Sequence, residues 1–350
     1  MGPRNFILLL SLALCGYLYW GIKVLPQERW QFLAAVPIRK KEDEMWDGIN
    51  LTWYGLLTAN AYAAAVAVLF VLMGAIGIPL AGTAILAAAM LSLCVPASRL
   101  VARVVEKKAH TFTVGGAVFV GVLIAPWLIF LVNRAVGPAL GFNIPPAAAL
   151  AAFAIAYAFG EGLGRLACIS FGCCYGKPLA DAHPWLQQMF AGRSFTFHGK
   201  TKKIAYAGGL EGRQVLPVQA LTAILYVVCG LGAIFLYLHS LFVAAFIVTM
   251  MVTQGWRIIS EILRADYRGA DNISAYQVMG LVAISYGCGV MLLVPAAPHY
   301  LPDIGDGLAV FWRPIPLLFL QGLWLGIFLY TGRSTVTGAT LSFYVRHDRI

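Results

Sequence analysis

The stretch "AAALAAFAIAYAF" (147–159) runs directly into "GEGLGRLACISFGCCYGKP" (160–178). The first part is unbroken hydrocarbon. The second carries Glu161 and Arg165 where hydrocarbon would continue, with Gly160, Gly162, Gly164, Gly172 and Gly176 and three cysteines around them. An ionisable group within a span costs ~3 kcal/mol or more and points by default to a function. The stretch therefore reads as a membrane-spanning helix whose end carries chemistry.

The rest of the chain agrees. Of 350 residues, 60% are hydrophobic and only 11% charged, with a mean hydropathy of +0.79. Soluble domains carry about a quarter charged residues. Apolar runs recur at the ~20-residue length that crosses the bilayer, not as the ~10-residue alternating segments of a barrel. The fold class expected is all-α, a polytopic helical membrane protein. Nine spans are predicted, at about 6–24, 52–76, 79–104, 113–133, 147–169, 217–238, 241–263, 275–296 and 314–331. The first reads as an uncleaved helix and not as a signal peptide, because its apolar run is long.

Two polar inserts interrupt the spans. "PQERWQFLAAVPIRKKEDEMWDGIN" (26–50) is expected to hold a short interfacial helix, and 177–216 reads as a small extramembrane head. The chain divides into 1–46 (extra span and linker), 47–296 (membrane core with the head inserted) and 297–350 (extra span and tail). With nine spans, Arg4, Arg134 and Arg313 fall on one side and the other 22 of the 25 Lys and Arg on the opposite side. The positive-inside bias would make that basic side cytoplasmic. The net charge of +10 suits membrane lipid or an anionic substrate. No long basic run with interleaved aromatics points to nucleic acid.

Three arginine-bearing helix ends emerge on the basic side. "CVPASRLVARVV" places Arg99 and Arg103 four apart, "GEGLGR" does the same for Glu161 and Arg165, and "WRIISEILR" spaces Arg257, Glu261 and Arg264 along one stripe. Structural salt bridges within each helix are one reading. Guanidinium forks matched to phosphate oxygens at head-group depth are the other, and three ends at one depth favour it. Gly160, Gly162 and Gly164 fit ordinary close helix packing. His110 and Gly115–Gly116 ("HTFTVGGAVFVGV") and Trp53–Tyr54–Gly55 open two further spans on the same side. The adjacent Cys173 and Cys174 read as close packing in a Gly-rich turn, or else as thiols that hold an acceptor or are themselves acylated. No CxxC pair or matching His at ligand spacing points to a metal.

Taken in order, "WYG", the Arg-bearing span, "GG", "GRLACISFGCCYG", "PVQ", "WRIISEILR" and "ISAYQ" resemble the bacterial prolipoprotein diacylglyceryl transferase family over about residues 47–296. The resemblance implies an inner-membrane enzyme that moves a diacylglyceryl group from phosphatidylglycerol to the lipobox cysteine of a prolipoprotein signal peptide, forming a thioether and releasing glycerol phosphate. No cofactor or metal is implied. It places Arg165 and Arg257 on phosphate, Glu261 as the orienter of Arg257, and Tyr54 at the head group. Arg99, Gly176 and Arg264 fall on further family positions, and Gly115, Gly116, Cys168, Cys173 and Gln277 are expected to line the substrate. The chain departs from the family pattern where Val114 replaces the histidine of "HGG", where Cys168 and Cys173 replace Asn and Glu, and where "LPVQALT" replaces "HPxQLYE". His110 is the substitute candidate for the base. Two alternatives stand beside this reading: a related transferase with another acceptor and a cytoplasm-facing site, and a catalytically inactive lipid-binding homologue.

Overall fold

The computed structural model describes residues 2–105, 107, 113–266, 273–294 and 300–350. Nine of its helices are long and apolar enough to cross a membrane. These are α1 (Pro3–Val24), α2 (Trp53–Ala75), α3 (Leu80–Val105), α4 (Val114–Ala135) and, after the single turn α5 (Gly137–Leu140), α6 (Pro146–Phe171). The head contributes the short α7 (Pro184–Phe190) and α8 (Lys203–Tyr206). The remaining spans are α9 (Val218–Leu238), α10 (Phe242–Leu263), α11 (Ala275–Leu293) and, after α12 (Ile304–Ala309), α13 (Pro314–Thr331). All nine predicted spans are present, so the protein is a multi-pass helical membrane protein.

Helix α6 is the axis of the bundle and is buried along most of its length. Its alanines and glycines let neighbours approach closely. A Cβ on Gly160 would lie 3.1 Å from the Ala65 Cβ of α2, and one on Gly162 would lie 3.1 Å from the Tyr226 Cβ of α9. The helix ends at Gly172, which adopts φ 68°, a left-handed conformation that only glycine takes without steric cost.

Asn60 of α2 is a polar link to both outer spans, α1 and α13. Asn60 Nδ2 donates to Tyr17 Oη at 3.2 Å, and Trp324 Nε1 donates to Asn60 Oδ1 at 2.8 Å. A hydrogen bond between helices is worth keeping where neither group can find water.

The first polar insert differs from the expected interfacial helix. Only Glu28–Trp30 make a helical turn, and the rest forms the hairpin β1 (Phe32–Lys40) and β2 (Met45–Thr52). In the head, β3 (Phe195–Thr196) pairs with β4 (Gln214–Val215), and near the C-terminus β5 (Arg333–Ser342) adds to β2, giving the order β1-β2-β5 with every pair antiparallel. Alternation in "VPIRK" and "MWDGINLT" suits strands better than a helix stripe. The sheet joins the end of α1, the start of α2 and the end of α13, which places all three on one side of the bundle.

The head is tied down by backbone pairing. Lys177 N donates to Leu263 O at 2.9 Å, Ala265 N to Tyr175 O at 3.1 Å, and Leu216 N to Lys177 O at 3.0 Å. Lys202 is wholly buried beneath it. Its Nζ donates to Ser170 O at 2.6 Å and Leu25 O at 3.2 Å, capping the ends of α6 and α1 together. Burial pushes the Lys202 amine down to about 8.

Candidate active site

Tyr157, Glu161 and Arg165 follow one another at one-turn spacing on α6, so they share a face. Glu161 is buried. Its carboxylate accepts from Tyr157 Oη and from Arg165 Nη2 on its own helix, and from Arg257 Nη2 of α10 at 2.6 Å. Arg257 Nη2 also donates to Tyr157 Oη at 2.9 Å. Two guanidinium groups thus share one carboxylate, which leaves a formal surplus of one positive charge. Arg165 Nε is buried and has no hydrogen-bond partner among the described residues. A buried donor left unpaired costs ~1–3 kcal/mol, more when it belongs to a charged group.

Helices α4 and α11 complete the wall around Arg257. A Cβ on Gly115 would lie 2.6 Å from the ring of Tyr276 and 2.9 Å from Arg257 Nη1, so glycine is what allows α4 to pass there. Gly116 performs the same service against Val101 of α3, at 2.5 Å.

Glu261 does not meet Arg257. It faces Arg264 at 3.6 Å, and Arg264 also forks onto Asp266 through Nε and Nη2, both at 2.7 Å. The carboxylate that orients Arg257 is Glu161. The backbone of Arg264 pairs with Gly176. A Cβ on Gly176 would lie 2.3 Å from Leu216 O, so this position admits no side chain without moving the head.

The three cysteines of the opening motif converge. The Sγ atoms of Cys168, Cys173 and Cys174 all lie within 4.8 Å of one another. The turn after α6 does this: Gly172 takes φ 68°, Cys174 takes φ 56°, and Cys173 N returns to Cys168 O at 3.0 Å. Gln219 Nε2 then holds the Cys173 carbonyl at 2.9 Å. Arg165 and Arg264 both lie close enough to Cys174 to favour a thiolate there. Tyr54 packs edge-on against Phe171, with ring centroids 5.6 Å apart.

The other expected residues are placed differently. Arg99 is exposed and stands over the Tyr330 ring of α13, 5.0 Å from its centroid. The Gln277 amide is committed to capping α11, where Oε1 accepts from Ser274 N at 2.9 Å and Nε2 donates to Ile258 O at 3.2 Å. His110 lies outside the described residues. Tyr157 and Gln219 were not among the sequence candidates. An aromatic in an apolar run gives no warning of a polar partner, whereas Gln219 sits in the "PVQ" motif and was within reach. A cavity of about 650 Å³ opens in the head beside Leu179, Gln187 and Arg213 and does not touch this cluster.

The bundle thus holds a buried, net-cationic arginine pair at one membrane level. The sequence signature of the prolipoprotein diacylglyceryl transferase family matches residues 44–293. The chain belongs to that family, and so is a membrane transferase of lipoprotein biosynthesis. A comparison with curated proteins finds no match.

Proposed function

We propose that the protein transfers the diacylglyceryl group of phosphatidylglycerol to the lipobox cysteine thiol of a prolipoprotein, with glycerol phosphate as the leaving group. The supporting observation is the Arg165–Glu161–Arg257 cluster, with its surplus positive charge and the unpaired Nε of Arg165. Sulfur attacks the glycerol carbon, the C–O bond breaks, and negative charge gathers on the phosphate oxygens. Guanidinium groups fixed in advance at that point stabilise the transition state more than the ground state. Glu161 and Tyr157 hold Arg257 in place, so little reorganisation is needed when the lipid arrives.

In this reading the protein lies in the bacterial inner membrane with its site on the periplasmic face. The excess of basic residues on the site's side favours a second reading, a cytoplasm-facing transferase with a different acceptor. Exposed Lys177 stands beside the site. A Lys177→Cys variant labelled only from inside the cell excludes lipoprotein maturation. The direct test incubates purified protein with phosphatidylglycerol and a lipobox peptide. The expected products are glycerol phosphate and a thioether on the peptide cysteine. A lipid-binding homologue without activity would give neither.

A further inference from the structure

Among the described residues, the acids nearest the arginines are all committed. Glu161 serves Arg165 and Arg257, while Glu261 and Asp266 serve Arg264. A thiol acceptor still has to lose its proton before sulfur can attack carbon. The sulfurs of Cys168, Cys173 and Cys174 are, among the described residues, groups at this level with chemistry to spare.

We propose that these three cysteines bind one divalent cation of the zinc class through their thiolates, and leave its fourth position open to the acceptor thiol. The proposal rests on the reading above that the acceptor is a thiol. A tetrahedral site with metal–sulfur bonds of about 2.3 Å holds its sulfurs about 3.8 Å apart. The Sγ atoms already lie within 4.8 Å of one another, so small side-chain rotations close the site. Soft thiolates select zinc over the hard cations. Cys173 is buried while Cys168 and Cys174 keep partial exposure, the side from which an acceptor would approach. Three thiolates and a divalent cation sum to one negative charge, and Arg165 and Arg264 act on these sulfurs from nearby. Gln219 supplies an outer contact by holding the Cys173 carbonyl.

The chemistry closes without a further reactant. On binding, the acceptor thiol gives its proton to solvent, since a coordinating thiol is deprotonated. Its electron pair forms the new S–C bond as the C–O pair departs with the phosphate. The thioether product, a poorer ligand than a thiolate, then leaves. Transfer of the diacylglyceryl group first to Cys173 or Cys174 would form a thioether there, whose thiolate is a poor leaving group for a second transfer, so the direct attack by the acceptor sulfur is the simpler path.

The test uses reduced, metal-stripped full-length protein in detergent, titrated with cobalt(II). One equivalent is expected to bind with a thiolate-to-cobalt charge-transfer band that zinc abolishes. Adding a lipobox peptide shifts the band, and the same peptide with serine for cysteine does not. Cys173→Ser is expected to weaken binding by more than the ~10–100-fold typical of an outer contact, while Cys229→Ser, in α9, leaves the band intact. No band in the wild-type protein overturns the site, and a band indifferent to the peptide overturns the open position. Normal peptide-dependent shifts without release of glycerol phosphate would overturn the proposed transfer and leave the metal site standing.

Discussion

Arg257 of α10 reaches Glu161 of α6 at 2.6 Å and not Glu261, the carboxylate one turn along its own helix. Direction explains the choice. Helical side chains lean toward the N-terminus. An arginine four residues after a glutamate leans onto it, as Arg165 does onto Glu161. An arginine four residues before one leans away, as Arg257 does from Glu261, and is left free to bridge to another helix.

Removing Arg257 should stop the reaction. Arg257→Ala is expected to lower glycerol phosphate release by at least ~100-fold, the loss typical of one transition-state donor. Arg257→Lys keeps the charge but not the fork, and should recover little. Initial rates with phosphatidylglycerol and a lipobox peptide measure both. Retained activity in Arg257→Ala would place the phosphate elsewhere.

Glu161 should matter to folding as well as to turnover. Glu161→Ala leaves two buried guanidinium groups without their counter-charge, and breaking such a pair costs ~3–5 kcal/mol. Low yield and a large fall in melting temperature in detergent are expected. Tyr157→Phe removes one hydroxyl and should cost only ~1–2 kcal/mol, with a greater effect on turnover than on melting.

Gly115→Ala tests the approach of α4 to Arg257. The added methyl meets the Tyr276 ring and Arg257 Nη1 at under 3 Å. Turnover should fall by about tenfold or more as Arg257 is displaced, since small misplacements of a reacting group are costly. Gly232→Ala in α9, where a Cβ meets nothing within 4 Å, serves as the control and should leave turnover unchanged.

Lys202 gives a pH signature. Its amine titrates near 8 when folded against the ordinary 10.5. Between those values the unfolded chain holds a proton that the folded chain has released. Its contribution to stability therefore rises with pH across that window and is flat below it. Lys202→Met should remove this rise from melting temperatures measured between pH 7 and 10. An unchanged profile would show that the amine is not buried as described.

The spans were legible because each is a long apolar run, and the arginine-bearing ends because charge is costly in hydrocarbon. The pairing among them was not legible. Spacing places Arg257 and Glu261 on one stripe, but the partner that wins comes from α6, and helix–helix packing decides that. The cysteine trio was hidden for a similar reason. Cys168 and Cys173 show no ligand spacing until Gly172 turns the chain back. The hairpin β1–β2 does carry a local signal, the alternation in 32–52, whereas its pairing with β5 lies far away in sequence, beyond any local pattern.

That distance has a consequence for biosynthesis. Asn50 of β2 bonds to Thr337 of β5, a partner 287 residues downstream. While the intervening helices are being made and inserted, β2 presents an open edge at the membrane surface. Such an edge invites pairing with other chains. Assembly of this transferase thus finishes with a late clasp, and the nascent hairpin must be kept from foreign strands until its own arrives.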